Sequence, residues 1–255
     1  MKTRHSSSVI PRVSVIIRTT GRPELRQAVE SVCAQTLAAT RHALDIVLVN
    51  AANTELPSLD CQGIVMREAR AGRRLNRPEA ANAGLDAATG DYVCFLDDDD
   101  WFHPDHLQSL LDLLKVRPQA RVAYSGVLLV HADGRPYARL NRPFDRGALF
   151  RGNYIQMGAA LFHRSLLAEG ARFDETLLNF QDWDFWLQLA QRTDFLHSGR
   201  ITLSWRAFSG GSGSGMGPNA NLSLQAAYTR RVQQKWAAAA AALTGPGAPA
   251  FAAGD

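Results

Sequence analysis

Short aliphatic runs alternate along the first half of the chain with longer segments whose apolar residues return every three or four positions. Residues 13–18 (VSVIIR) make a short run rich in β-branched residues, then meet the turn-like TTGRP, which predicts a buried strand. Pro23 stands at a first helical position, with Leu25, Ala28, Val29, Val32 and Cys33 at helical spacing behind it. Residues 44–49 (LDIVLV) and 63–67 (GIVMR) read as the second and third strands. Pro78 opens a helix with Ala81, Leu85 and Ala88 on one face and Gly90 as its stop. DYVCFL, 91–96, is the fourth strand, and Pro104 starts PDHLQSLLDLLK, which ends before Pro118. Strands alternating with helices at this spacing predict an α/β fold: a mostly parallel central sheet with helices on both faces.

The pattern changes near residue 120. Residues 121–140 read as strand, Asp133-Gly134 turn, strand, and IQMGAALFHR (155–164) as a further apolar strand. QDWDFWLQLAQR (181–192) is amphipathic: Trp183, Trp186, Leu187 and Ala190 make one stripe, with Asp184, Gln188 and Gln191 opposite. Asp184 is therefore expected to face solvent and Asp182 to border the core. Residues 195–208 read as one strand or paired strands. Residues 209–219 hold too much Gly and Ser for regular structure, which leaves a mobile lid or a plain linker to a last helix at about 221–243. The tail 244–255 is expected to be disordered. No repeat and no second core is visible, so the expected organisation is one domain over 1–243, with halves at 12–120 and 121–208.

Composition narrows the partners. The 46% hydrophobic and 20% charged fractions of this 255-residue chain are those of an ordinary globule. A net charge of +4, from 28 basic and 24 acidic residues, is no argument for nucleic acid. Its bases are nearly all Arg, which suits bidentate binding of phosphate or reflects coding bias in an Ala-rich chain. Three cysteines without metal spacing suggest free thiols in a reducing compartment. The first residues lack a hydrophobic signal region, and no apolar run reaches about 18 residues. The expected location is cytoplasmic, with membrane contact at most peripheral, at the inner face. A last helix carrying Arg230, Arg231 and Lys235 beside Trp236 would be a weak anchor, because its apolar face is mostly Ala.

The chemistry gathers at FLDDDDW, 95–101, where four carboxylates follow an apolar strand. In parallel sheets ligands bind beyond the carboxyl ends of the strands, and residues 19–22, 50–53 and 97–100 all fall there. Along an extended segment Asp97 and Asp99 would share one face, and Asp98 and Asp100 the other. Two readings stay open: a platform for a hard divalent cation, or acids capping the helix that begins at Pro104. Residues 67–78 (REARAGRRLNRP) carry five arginines, either a solvated loop or a cradle for a diphosphate. His103 and His106 are three apart but read as helix-start residues.

The segments VSVIIRTTGRPELRQAVESVCAQT, DIVLVNAAN, NRPEAANAGLDAATGDYVCFLDDDDWFHPDHL and FDETLLNFQDWDFWLQLA, taken in order, resemble the family 2 glycosyltransferases over roughly residues 12 to 207. The resemblance implies a GT-A fold, Rossmann-like, and inverting transfer from a nucleotide-diphosphate sugar with a divalent metal, Mn²⁺ or Mg²⁺. It makes 12–120 the nucleotide-sugar half and 121–208 the acceptor and catalytic half. It places the metal motif on Asp97 and Asp99, and donor binding on Arg18, Thr19, Thr20, Arg22, Asn50, Arg74, Arg77, Asn82, Asp97 and Asp98. The catalytic base falls on Asp182. The acceptor would be a glycan, a lipid-linked sugar or a protein, in surface glycan synthesis. Where the family usually has an acid, an Arg, a Glu and a His, this chain has Asn50, Ala81, Gln181 and Phe208.

Inversion needs a base for the acceptor hydroxyl and an electrophile for the departing diphosphate. Asp182 serves the first role, or only complements the helix N-terminus. Trp183 and Trp186 read as core before sugar contacts. The rival classes are a non-catalytic nucleotide- or glycan-binding relative and a sugar-phosphate nucleotidyltransferase. The latter would carry a glycine-rich, lysine-bearing loop after the first strand, which RTTGRPEL is not.

Overall fold

The computed structural model describes residues 11–39, 43–61, 63–208 and 220–243. The expected lid (209–219) and tail (244–255) lie outside them. The first half forms as the hydrophobic pattern predicts, with the two-residue β5 added to it: β1 (Val13–Thr19), α1 (Leu25–Cys33), β2 (Leu44–Asn50), β3 (Val65–Ala69), α2 (Arg77–Ala87), β4 (Tyr92–Asp97), β5 (Trp101–Phe102) and α3 (His106–Val116). β6 (Val122–Val130), β7 (Pro136–Leu140), α4 (Arg146–Arg151), β8 (Ala160–His163), α5 (Ser165–Ala168), α6 (Gln181–Ala190), β9 (Phe195–Arg206) and α7 (Leu222–Ala242) follow.

One sheet runs in the order β3-β2-β1-β4-β8-β6-β9-β5, with β7 paired to β6. β3, β2, β1 and β4 run parallel, as does β9 beside β6. β8 is antiparallel to β4 and β6, β7 to β6, and β5 to β9. The sheet is thus parallel through the first half and mixed beyond it. Residues 195–206 form one long strand, not a pair, whose register against β6 shifts around Gly126.

Every residue of β1 and β2 is buried, because helices cover both faces. Alternation sorts their side chains. Ile16, Val47, Val49 and Phe95 join Ala81, Leu85 and Trp183 on one side, and Val15, Ile17, Leu48 and Leu96 join Leu25, Leu107 and Leu111 on the other. α2 lies directly on β1 because residue 84 is glycine; a methyl group there would overlap Ile16 Cγ2. Asn76 and Glu79 close a reciprocal capping box at the start of α2, with Pro78 in its first turn.

Two expectations are corrected here. Asp184 does not face solvent: it is 0% exposed, because α7 covers the polar side of α6. Trp236 Nε1 donates to Asp184 Oδ1 at 2.8 Å and Lys235 Nζ lies 2.9 Å from the same oxygen. Gln188 is likewise taken up, bonding Asp184 Oδ2 and the Arg172 carbonyl. The cysteines are not all free either. Cys33, at the end of α1, is disulfide-bonded to Cys61, with Cα atoms 5.6 Å apart, while Cys94 is free and buried. No helix among the described residues is long and apolar enough to cross a membrane.

Candidate active site

The acid run begins on β4 with Asp97 and then turns. Asp98 and Asp99 occupy a turn closed by Asp100 N–H donating to the Asp97 carbonyl at 3.1 Å. The alternate-face expectation therefore fails, since it assumed an extended segment. Each carboxylate has its own surroundings. Asp97 pairs with Arg18, its register partner on β1. Asp98 accepts Thr19 Oγ1 at 2.7 Å and Thr20 N–H at 3.1 Å, which ties the first βα turn to β4. Asp99 accepts Arg22 NH1 at 2.6 Å. Asp100 accepts Arg206 N–H at 2.9 Å and Gln156 Nε2 at 3.1 Å. None of the four caps α3, whose N-cap is Asp105 without a side-chain bond.

Burial and charge divide them further. Burial alone would raise the Asp97 carboxyl, but Arg18, with Arg77 and Arg22 behind it, outweighs that and holds it below the ordinary value. Asp98 is pushed up by burial, and Asp100 much further by burial and the charges of Asp99 and Asp97. Asp97 and Asp99 are the more accessible acids of the run, with 35% and 14% of their side chains exposed.

Asp182 arrives from the other half, in the first turn of α6. Its Oδ2 accepts Asn153 Nδ2 at 2.9 Å and its Oδ1 the Trp183 N–H at 2.9 Å. Burial raises its pKa above the ordinary carboxyl value, while these two bonds and Arg18 pull down and Asp97 pushes up. Asp182, Arg18 and Asp97 therefore lie within electrostatic reach of one another, as does Arg77 with Asp97, Asp182, Arg18 and Arg22. Arg77 enters from the first turn of α2, where Asn179 Oδ1 accepts its NH1 at 3.3 Å. Phe180, between Asn179 and Gln181, holds a left-handed backbone (φ 56°, ψ 24°) at the N-cap of α6. An aromatic residue rarely adopts this conformation.

Other expected donor residues point elsewhere. Asn50 is 0% exposed; its amide donates to the Thr54 carbonyl at 2.6 Å and Glu68 Oε1 at 2.7 Å, and accepts Thr54 N–H at 3.3 Å. It clamps the 50–54 turn from within. Asn82 bonds Phe173 in both directions and Glu175, so it links α2 to the loop before α6. Of the five arginines at 67–78, Arg67 pairs with Asp45, Arg70 with Glu68 and Arg73 with Glu79; Arg74 is exposed and Arg77 reaches the crevice. His106 is buried and pushed down to about 3 by burial, stacked on Phe102 and bonded to Thr202, as a core residue. Trp183 and Trp186 are core too, their indole N–H groups on the Leu149 and Ile155 carbonyls. Phe208 packs on His131 and Tyr137.

Asn153, Asn179 and Arg206 were not anticipated. Each is a lone polar residue in an aperiodic stretch or at a strand end, and only the tertiary arrangement brings Asn153 and Arg206 to the acids and Asn179 to Arg77.

A sequence profile described as Glycosyl transferase family 2 matches residues 14–167, which include the acid run and most of the sheet. The chain belongs to glycosyl transferase family 2. A relative in Erwinia amylovora, the amylovoran biosynthesis glycosyltransferase AmsB, is 38% identical over 122 residues, 44% of this chain and 40% of that protein. Among solved structures, S. aureus TarS 1-349 in complex with UDP-GlcNAc aligns with a TM-score of 0.64 at 15% identity, over 79% of this chain and 60% of that one. The mannosyltransferase PcManGT from Pyrobaculum calidifontis, in complex with GDP-Man and Mn²⁺, aligns with a TM-score of 0.59 at 18% identity, over 95% and 77%. These likenesses establish the GT-A fold. The chain spans less than two thirds of AmsB and of the TarS chain.

Do the acids suit a divalent metal? Among the described residues no group of three or more His, Cys, Asp and Glu side chains forms a self-contained cage. Asp97 and Asp99 are nevertheless accessible hard-oxygen donors, and one or two carboxylates completed by substrate phosphates make a typical Mg²⁺ or Mn²⁺ site. The pair fits a cation that arrives with a diphosphate.

Proposed function

We propose that the chain transfers a sugar from a nucleoside-diphosphate donor to an acceptor hydroxyl, with inversion at the anomeric carbon. The observation that carries this reading is the convergence of Asp182, from the second half, on Arg18, Arg77 and Asp97 at the carboxyl end of the parallel strands. In this reading a base and a set of diphosphate counter-charges meet at one end of the sheet.

In this reading the first βα turn (Thr19, Thr20, Arg22) and Asp98 shape the nucleoside side, and Arg18, Arg22 and Arg77 face the diphosphate. Asp97 and Asp99 would hold a divalent cation, which supplies charge neutralisation of the leaving diphosphate. Asp182 takes the acceptor hydroxyl proton as that oxygen attacks the anomeric carbon from the face opposite the diphosphate. A carboxyl raised by burial is a stronger base than a solvated one, which suits that task. Arg18 Nε and Gln181 Oε1, buried without a hydrogen-bond partner among the described residues, also support a site completed by its ligand. Asn50 and Asn82 enter as residues that hold the walls. The acceptor class we propose is a glycan, lipid-linked or protein hydroxyl in surface glycan assembly; the relative from Erwinia amylovora is named for amylovoran biosynthesis.

The test is a thermal-shift panel of UDP, GDP and other nucleoside diphosphates, with and without Mn²⁺, followed by donor hydrolysis assays. Metal-dependent stabilisation by one nucleotide, lost in Asp99→Ala, is the expected result. Stabilisation by none of them would overturn the reading.

A further inference from the structure

Of the arginines that face the acid run, Arg18 and Arg22 form ion pairs with its carboxylates, and they are anchored in different ways. Arg18 lies inside β1 with 8% of its side chain exposed. It is held by Asp97, by the Arg77 carbonyl at 3.4 Å and by the Phe95 ring 5.9 Å from its guanidinium carbon. Any displacement of Arg18 would leave a charge stranded in the core. Arg22 stands beyond the strand, just after Gly21 (φ 85°), with 29% of its side chain exposed. Its guanidinium lies 2.6 Å from Asp99 Oδ2 and 3.8 Å from Asp98 Oδ1. It is attached by charge on a long, flexible stem, at the mouth of the crevice.

These attachments respond differently to a cation at Asp99. A divalent ion and a guanidinium compete for the same carboxylate oxygens and repel each other. Arg18 has nowhere to go, whereas Arg22 does, and the nearest new anion would be the diphosphate that arrives with the metal. We propose that Arg22 is an exchangeable counter-ion: it neutralises Asp99 in the unliganded crevice and passes to the diphosphate when a divalent cation occupies Asp99. Arg22 thereby couples cation and nucleotide, so that each binds more tightly in the presence of the other. The inference rests on the donor and metal reading given above and adds the residue that links the two ligands.

Calorimetry and Mn²⁺ electron paramagnetic resonance decide it, using Mn²⁺ alone, UDP and GDP alone, and each nucleotide at saturating Mn²⁺. In Arg22→Gln the competitor for Asp99 is gone, so Mn²⁺ alone should bind about two- to fivefold more tightly, the scale of a partly exposed ion pair. Nucleotide in saturating Mn²⁺ should bind about 10- to 100-fold more weakly, from the loss of a charge-assisted phosphate contact. Arg22→Lys, which keeps the charge without the planar fork, should fall between parent and Arg22→Gln on both measures. Unchanged or weaker Mn²⁺ binding in Arg22→Gln would overturn the exchange, as would a coupling factor equal to that of the parent. A parent protein that binds neither nucleotide overturns the donor reading and with it the coupling. The Mn²⁺-alone comparison then still decides whether Arg22 competes with the cation.

Discussion

Asn153 donates its side-chain amide to Asp182 at 2.9 Å, so a residue just after α4 sets the direction of a carboxylate in the first turn of α6. Asp182→Asn keeps the shape but removes the proposed proton acceptor. Turnover should fall by about 10² to 10⁴-fold while nucleotide affinity barely changes. Donor hydrolysis, with water in place of the acceptor, measures this without knowledge of the natural acceptor. Equal hydrolysis by parent and variant would remove Asp182 from the mechanism.

The same pair predicts a pH dependence. Burial raises the Asp182 carboxyl above the ordinary aspartate value of 3.8, and the Asn153 bond works against that rise. As pH falls, the base is therefore protonated earlier than a solvated aspartate, and the acid limb of kcat/KM lies above that value. Asn153→Ala removes a bond to the charged form and should move the limb further up. Stability runs the other way. Between the unfolded and folded pKa values the native state holds a proton that the unfolded chain has released, so stability falls as pH rises through that window. Asp182→Asn should accordingly be at least as stable as the parent at neutral pH, by denaturant titration.

Asp184 has a different task from Asp182 although both lie in the first turns of α6. Its oxygens accept from Trp236 and Gln188 and face the Lys235 ammonium. Asp184→Asn turns one acceptor into a donor that opposes the Gln188 amide. The expected cost is about 1–3 kcal/mol of folding stability, read from urea midpoints. Nucleotide binding by the folded protein should be unaffected.

Phe180 offers a test of backbone strain. Its left-handed conformation is costly for any side chain with a Cβ, by roughly 1–2 kcal/mol. Both Phe180→Ala and Phe180→Gly lose the edge contact with Trp183, at 6.0 Å between centroids, but only glycine escapes the strain. Phe180→Gly should therefore be more stable than Phe180→Ala by about 1 kcal/mol, the reverse of the order expected inside a helix. Thermal unfolding of the two variants side by side gives the sign.

The first half was legible because its signals are local. Continuous apolar runs marked β1, β2 and β4, proline and glycine marked the ends of α2, and the acid run announced itself. The second half depends on contacts between distant segments. A helical wheel reveals the polar side of α6 but not that α7, some 50 residues later, covers it with Lys235 and Trp236. The Cys33–Cys61 pair, 28 residues apart, is joined because the end of α1 and the loop before β3 meet in space. Asn50 looked like a donor contact from its place at the end of β2. Its strand position was right, but its amide is spent on the turn it begins. For the acids, an assumption of extended backbone grouped Asp97 with Asp99 by parity, whereas a turn gives each its own partner.

The docking of α7 on Asp184 has a consequence for the order in which the protein takes shape during synthesis. The strands β1 to β4 leave the ribosome early and pair with one another, and Asp97, Asp98 and Asp99 find Arg18, Thr19 and Arg22 within about the first hundred residues, whereas Asp100 waits for Gln156 and Arg206. Asp184, two positions from the proposed base, has no counter-charge until Lys235 emerges, and the indole that seals it follows one residue later. Domains form as their segments are translated, so the half that carries Asp182 is the last to settle. A nascent chain exposed as far as α6 but not α7 would already hold β1 to β4 side by side, while Asp184 still stood as a bare carboxylate open to water.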